Sequence, residues 1–294
     1  MKPETYVVIT PVRNEEMYLQ HTIDSMAAQT VRPALWIIVD DGSTDATPDI
    51  VNRAMQQHSW IRLHRRPDRG VRKVGGGVIE AFNEGLHLIN LDEYEYVCKL
   101  DGDLQFAPQC FERLMEIFRS DPELGTASGK CWDRTPTGWA MLRTSDEFSL
   151  GACKFYRIAC FREIGGFVDE VMWDGIDCHR CRMLGWTCRS LQEDVLRLYE
   201  LRPMGSSYKS VFHGRFRWGW GQYFMGTHWL YALAIAAYRM FDRPFILGGL
   251  CILAGYVAAA LRRVKRYDDP AFRRHLRRWQ LARLMGSRPS SKPV

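Results

Sequence analysis

The chain lacks several features that would assign it at once. Its nine cysteines are odd in number and follow no framework spacing, which excludes a disulfide-stapled scaffold. A single C-x-x-C, Cys178 to Cys181, has His179 and Cys188 nearby but no standard zinc spacing, so it reads as reduced thiols. No internal repeat is visible. Lys2 and Glu4 lead straight into the first apolar run, so no signal peptide is expected. Together with the cysteine usage, this sets the expectation of a reducing cytoplasm. No apolar run reaches the ~20 residues of an ordinary membrane crossing. The nearest is Phe245 to Leu261, 17 residues without a charge, which leaves a short span, an interfacial helix and a hairpin open.

What is present is an ordinary globular composition, 46% apolar and 25% charged over 294 residues, enough for one large domain and an appendage. The net charge of +6 comes largely from Arg262 to Arg283, RRVKRYDDPAFRRHLRRWQLAR. A nucleic-acid binder would show a recognised module or an aromatic platform beside that charge. Here the basic residues follow an apolar run, the pattern of a cytoplasmic membrane face.

The first hundred residues alternate between strand and helix signals. Tyr6 to Thr10 is a β-branched run ended by Pro11, and Glu15 to Ala28 has apolar residues at helical spacing. Leu35 to Val39 is a continuous apolar run, as in a strand buried on both faces. Ser43 or Thr44 is placed to cap a helix reaching Gln57. Ile61 to Leu63, a glycine-opened helix from Gly75 to about Leu88, a strand Tyr96 to Leu100 and a helix from Pro108 to Arg119 follow. This order predicts an α/β fold with a mostly parallel sheet covered by helices.

Acidic residues stand just past the ends of the apolar strands: Pro11 to Glu15, Asp40-Asp41, and Asp101 to Gln105. Ligands of open α/β sheets bind there. Like charges crowded in one crevice call for a shared cation or a hydrogen-bonding ligand. If Asp101 to Gln105 is extended, Asp101, Asp103 and Gln105 face one way and offer three hard oxygens, a set suited to Mg²⁺ or Mn²⁺ with substrate phosphates.

The stretch ITPVRNEEMYLQHTIDSMAAQT…WIIVDDGSTDAT resembles the opening of family 2 glycosyltransferases. LDGDLQF resembles their D-x-D element, in the D-x-D-x-Q form of polyprenyl-phosphate sugar synthases, and GGGVIEAFNEGL resembles the element between the second and third acidic clusters. The likeness runs over roughly residues 5 to 190. It implies a GT-A-like fold and an inverting, metal-dependent transfer from a nucleotide-sugar. It also implies roles. Pro11 and Glu15 line the nucleotide, with Arg13 where a Tyr is often found. Asp41 accepts a hydrogen bond from the base. Asp101 contacts ribose or metal, Asp103 binds the metal, and Gln105 assists. Arg69, Arg72 or Lys73 are candidate phosphate contacts on charge alone.

MWDGIDCHRCRMLGW resembles the family's E-D-x-x-x-x-x-R…G segment, which aligns Asp174 with the base aspartate although Trp173 replaces the usual Glu. Asp177, one helical turn on, is the second candidate, and the non-catalytic reading makes Asp174 a helix N-cap. His213, Arg215, Arg217 and Trp218 are expected to touch donor phosphates or acceptor; a membrane-interface belt explains the same composition.

The expected organisation is a GT-A-like catalytic domain at 1–222, a helical membrane-associating segment at 223–286 and a disordered tail at 287–294. The expected partners are a nucleotide-sugar, a lipid-linked or saccharide acceptor and the inner face of a membrane, without nucleic acid. A nucleotidyltransferase of similar fold is the alternative enzyme, but it would carry a Gly-rich phosphate loop where this chain reads TPVRNEE. A non-enzymatic basic membrane binder is the other alternative.

Overall fold

The computed structural model describes residues 5–68, 70, 76–202, 210–242 and 244–287. The chain divides into two compact units: Met1–Glu170 with Trp186–Pro203, and Val171–Gly185 with Met204–Val294. Lys73, with Arg69 and Arg72, lies outside the described residues.

The first unit runs β1 (Tyr6–Val12), α1 (Leu19–Ala27), β2 (Leu35–Asp40), α2 (Thr47–Gln57), β3 (Ile61–Arg65), α3 (Gly76–His87) and β4 (Tyr96–Leu100). It continues through β5 (Leu104–Phe106), α4 (Cys110–Ser120), β6 (Leu124–Gly129), β7 (Cys131–Thr135), β8 (Gly138–Met141), β9 (Cys153–Arg157) and α5 (Ile158–Glu163), and closes with β10 (Thr187–Leu191) and β11 (Leu198–Glu200). The main sheet has seven strands in the order β10-β6-β9-β4-β1-β2-β3, all parallel to their neighbours except β9. Apolar side chains on both faces of β1, β2 and β4 dictate a covered sheet. On one face Tyr6, Trp36 and Phe155 pack with Leu19, Met26, Phe111 and Phe118, and the Tyr6 ring stacks on Phe111 at 5.0 Å. On the other, Phe82 of α3 meets Phe161 of α5 and Phe167. Gly85 lets α3 lie against β1 and β2, since a methyl there would come within 2.7 Å of Ile9. Each large side chain buried in this way contributes roughly 1.5–3 kcal/mol. A smaller four-stranded sheet, β5-β11-β7-β8, adjoins β4 through β5.

Several local expectations are corrected. β1 continues through Pro11 to Val12; its ladder with β4 has ended at Ile9, so the missing proline N–H has one neighbouring strand fewer to serve. α1 begins at Leu19 instead of Glu15. α2 begins at Thr47 with Ala46 at its N-cap, so Ser43 and Thr44 are not helix caps. Asp101 to Gln105 is not extended throughout: a turn at Gly102–Asp103 precedes β5. The turn brings Gly102 against β1, where a Cβ would approach Val12 to 2.9 Å.

The second unit holds α6 (Trp173–Met183), α7 (Val211–Met225), α8 (Trp229–Arg239), α9 (Leu247–Leu261) and α10 (Pro270–Leu284). Residue 222, the expected end of the catalytic part, falls inside α7. α7 and α9 cross at glycines: a methyl on Gly219 would meet the Ile252 carbonyl, and one on Gly255 the Phe216 carbonyl. α10 starts on Asp269, whose side chain accepts a hydrogen bond from Phe272 N at 2.9 Å, followed by Pro270. Among the described residues no helix is long and apolar enough to cross a membrane. α9 has 15 residues, about 22 Å of helix, against a hydrocarbon core of about 30 Å.

Candidate active site

In the first unit, successive crossovers carry the chain from β1 outward to β2 and β3, then back across β1 to β4. The carboxyl ends of β1 and β4 therefore flank a topological switch point, the usual ligand crevice of such sheets. The loops that leave β1, β2 and β4 carry Arg13 to Glu16, Asp40 to Thr47 and Asp101 to Asp103.

The first two loops are laced together. Ser43 Oγ accepts from Asn14 N at 2.9 Å, Asn14 Oδ1 accepts from Thr44 N at 2.9 Å, and Thr47 Oγ1 accepts from Glu15 N at 2.7 Å. Glu16 and Asp45 each accept from the other loop's backbone. Here Ser43, Thr44 and Thr47 tie loop to loop. Asn14 sits at φ 55, a left-handed conformation that asparagine tolerates, and Gly42 at φ +75 packs so closely that a Cβ would come within 2.5 Å of Asp68 Cα. Asp40 is buried beneath the second loop, accepting from Ser43 N at 2.8 Å and from Arg65 Nε at 3.1 Å.

Two arginines set the charge at the Asp41 position. Arg13 Nη1 donates to the Asp41 carbonyl at 2.5 Å, and its other nitrogen pairs with Asp68 at 2.8 Å. Arg66 pairs with Asp41 Oδ1 at 2.6 Å and with Glu84 at 2.8 Å. Pro11 lies on β1 opposite Val39.

At the β1–β4 side the cationic partners are Lys99 and Arg202. Lys99 Nζ contacts Asp101 Oδ1 and donates to the Gly151 carbonyl at 2.7 Å. Arg202 reaches the buried Glu15 carboxylate with Nη2, comes within 3.7 Å of Asp103 with Nε, and lies over the Tyr18 ring at 5.1 Å. The β5–β11 pairing positions it, with Leu201 N donating to the Asp103 carbonyl at 3.0 Å. Burial and the Asp101 charge push the Asp103 carboxyl up to about 6, against the opposing pull of Arg202 and Lys99. Glu200, buried on β11, is pushed up to about 8 by burial and by the charges of Asp133, Asp101 and Asp103. Gln105 stands on the exposed side of β5, opposite Tyr199.

These donors fit a divalent cation. Asp101 and Asp103 are hard oxygen ligands two residues apart, and the raised Asp103 carboxyl marks a place where added positive charge is favourable. Among the described residues no group of three or more His, Cys, Asp or Glu forms a ready coordination shell. Two carboxylates leave the remaining positions to water and phosphate oxygens, as Mg²⁺-type sites commonly do.

Asp174 and Asp177 lie on α6, in the second unit. Met172, at φ 67, occupies the N-cap, so Asp174 is not the cap but an exposed first-turn residue. Asp177 is buried and accepts from Cys178 N at 2.6 Å. His213, Arg215, Arg217 and Trp218 share α7, with Arg215 and Arg239 over the Trp218 ring at 6.0 and 5.2 Å.

Arg202, Arg66 and Lys99 stand in the site although they were not among the expected residues. Lys99 carried a readable signal, a lone cation in an otherwise apolar strand. Arg66 and Arg202 had none, because their partners are distant in sequence.

The profile described as Glycosyl transferase family 2 matches residues 7–170, more than half of the chain. The chain belongs to glycosyl transferase family 2. Its sequence is 26% identical over 117 residues to the chondroitin synthase of Pasteurella multocida, a match covering 40% of this chain and 11% of that protein. It is 27% identical over 116 residues to a poly-beta-1,6-N-acetyl-D-glucosamine synthase of Staphylococcus aureus, covering 40% of this chain and 26% of that one. The chain thus corresponds to only part of either relative. The fold is that of GT-A glycosyltransferases. It resembles the mannosyltransferase PcManGT of Pyrobaculum calidifontis, solved with GDP-Man and Mn²⁺, with a TM-score of 0.55 at 17% identity over 95% of this chain and 86% of that one. It also resembles S. aureus TarS 1-349, solved with UDP-GlcNAc, with a TM-score of 0.54 at 16% identity over 92% and 78% of the two chains. The family match covers Pro11, Arg13, Glu15, Asp41, Asp101, Asp103 and Gln105 and stops before Asp174, Asp177 and the α7 residues.

Proposed function

We propose that this family 2 member is an inverting glycosyltransferase that moves a sugar from a nucleoside-diphosphate sugar to a hydroxyl or phosphate acceptor at a membrane surface, as a step in glycan or polysaccharide assembly. The observation that carries the reading is the set of carboxylates Glu15, Asp41, Asp101 and Asp103 on the loops that leave β1, β2 and β4, with Lys99, Arg66 and Arg202 compensating them. Such a crevice suits a polar, metal-chelating nucleotide. The solved neighbours bound to GDP-Man or UDP-GlcNAc support the donor class.

In this reading Pro11, Arg13, Glu15 and Asp41 receive the nucleoside, with Arg66 holding the Asp41 carboxylate in place. Asp101 and Asp103 would hold the cation, with Gln105 assisting. Mn²⁺ or Mg²⁺ held there would supply positive charge to stabilise the departing diphosphate. Inversion in one displacement needs a base to take the acceptor proton and requires no covalent nucleophile. Asp174 is assigned that role and Asp177 a structural one. The exposure of Asp174 suits exchange of a proton with an acceptor, whereas Asp177 is buried and holds the α6 backbone. His213, Arg215, Arg217 and Trp218 are assigned to phosphate or acceptor contacts. Bound at a membrane, the protein would work on the cytoplasmic side, on a lipid-linked or saccharide acceptor.

The base assignment has a direct test in nucleoside-diphosphate release from a panel of nucleotide-sugars, with an acceptor extract present. Asp174→Asn is expected to lower turnover about a hundredfold or more while leaving donor affinity intact. Equal or larger loss in Asp177→Asn, with the fold retained, would move the role to Asp177.

A further inference from the structure

Helices on a protein surface normally turn charged side chains outward. α9 does not. Leu247, Leu250, Val257 and Leu261 are exposed at 54, 45, 44 and 79%, and Ala254 falls on the same stripe. The spacing of three and four residues puts all five along one face of the helix. α8 repeats the pattern with Leu230 and Leu233 at 40 and 42%, and Phe241, two residues past its end, is 75% exposed. The turn between the two helices adds Phe245 and Ile246, each 59% exposed. Between Trp229 and Leu261 the only carboxylate is Asp242, and Arg239 holds it at 2.8 Å. α8 and α9 are in contact through Gly249, where a methyl would meet the Ala236 carbonyl, so the two outward stripes belong to one hairpin.

The rim of this hairpin is cationic and aromatic. Arg262 and Arg263 follow α9 directly, with Arg262 over the Trp220 ring at 5.7 Å. Arg266 lies over Tyr223 at 4.6 Å. α10 carries five arginines and no carboxylate. Trp229 and Tyr238 are half exposed at the two ends of α8. An apolar strip bounded by Arg and by Trp or Tyr matches the cross-section of a bilayer interface.

We propose that the α8–α9 hairpin lies in the plane of an anionic lipid surface, its apolar stripes inserted at the headgroup–acyl boundary and its arginine rim on the lipid phosphates. This deepens the membrane-proximal reading above and rests on it, naming the surface, its orientation and the lipid charge it needs. A second copy of the chain is the competing occupant. A self-complementary interface would bring the same arginine rim close to itself, whereas anionic headgroups complement it. The length of α9 forbids a crossing but suits a helix lying flat.

The test is flotation of the full chain with vesicles of neutral phosphatidylcholine, and with vesicles containing a third phosphatidylglycerol, at low and high salt. Wild type is expected to float with the anionic vesicles, with binding at least about tenfold weaker on neutral ones and reduced by salt. Leu250→Asp with Val257→Asp, both on the exposed stripe, should cost about tenfold or more in partitioning. Brominated lipid should quench wild-type tryptophan fluorescence, and Trp229→Phe should remove part of that quenching. Circular dichroism and nucleotide binding on the same samples show whether the variants remain folded. Wild type that ignores anionic vesicles while sedimenting as a concentration-dependent dimer would overturn the proposal in favour of a second copy. So would stripe variants that float as well as wild type. Nucleotide binding retained when flotation fails would sink this inference and the membrane-surface part of the proposed function, leaving nucleotide-sugar transfer standing; flotation retained without nucleotide binding would sink the glycosyltransferase reading instead.

Discussion

Arg202 joins two parts of the site that are far apart in the chain. Its guanidinium contacts Glu15, which is buried, and approaches Asp103 at 3.7 Å. Truncating one member of such a pair leaves a charge in a place that solvates it poorly. Arg202→Ala is expected to lose roughly 3 kcal/mol in urea unfolding, and Glu15→Gln in the same background should recover part of that loss. A loss within experimental error would mean that Glu15 is held by other groups. Glu200 makes a second prediction, on pH. Burial, with the Asp133, Asp101 and Asp103 charges, raises its carboxyl from 4.5 to about 8, so the folded state holds this proton more tightly than the unfolded chain does. The stability it contributes is fully present below about pH 4.5 and is lost as pH rises through about 8. Glu200→Gln keeps a neutral side chain of similar shape and should lose less stability than wild type between pH 6 and pH 9, read from thermal midpoints. Parallel pH profiles would contradict the assignment.

Elements differ in how far local pattern decides them. β2 and β4 are apolar runs ended by aspartates, and both form as the runs predict. Pro11, Ser43 and Thr44 misled because their local preferences yield to the lacing of the β1 and β2 loops, which binds Asn14 and Glu15 to Ser43 and Thr47. The turn at Gly102–Asp103 was likewise hidden, since it depends on β11 pairing with β5 nearly a hundred residues later. On α6, His179 is buried against Trp279 and Phe272 of α10, with its Nδ1 3.3 Å from Arg182. Burial, together with Arg182 and His275, pushes its imidazole well below 6.5. Its stabilising contribution is therefore present above about pH 6.5 and is lost as pH falls below that value. The urea midpoint of wild type should drop between pH 7.5 and pH 5, and His179→Gln should shrink that drop. An unchanged drop would place the acid sensitivity elsewhere.

Over the whole molecule, the α/β class, the strand-end acidic clusters and the family were legible, because each rests on contiguous runs within residues 7–170. The two-unit division was not. Val171–Gly185 joins the C-terminal helices while Trp186–Pro203 returns to the first unit, and no local pattern signals such an exchange. Arg202 and Arg66 were hidden for the same reason, each being defined by partners on other strands. The proposed transfer requires that the carboxyl edge of β1, β2 and β4 bind a nucleoside diphosphate together with a divalent cation. Calorimetry of UDP, GDP, dTDP and CDP against wild type and Asp103→Ala, with and without Mn²⁺, measures this binding. One nucleotide is expected to bind with Mn²⁺, to weaken at least about tenfold without it, and to be lost in Asp103→Ala. Folded wild-type protein that binds none of the four with Mn²⁺ present, or binding untouched by Asp103→Ala, would contradict the proposed transfer.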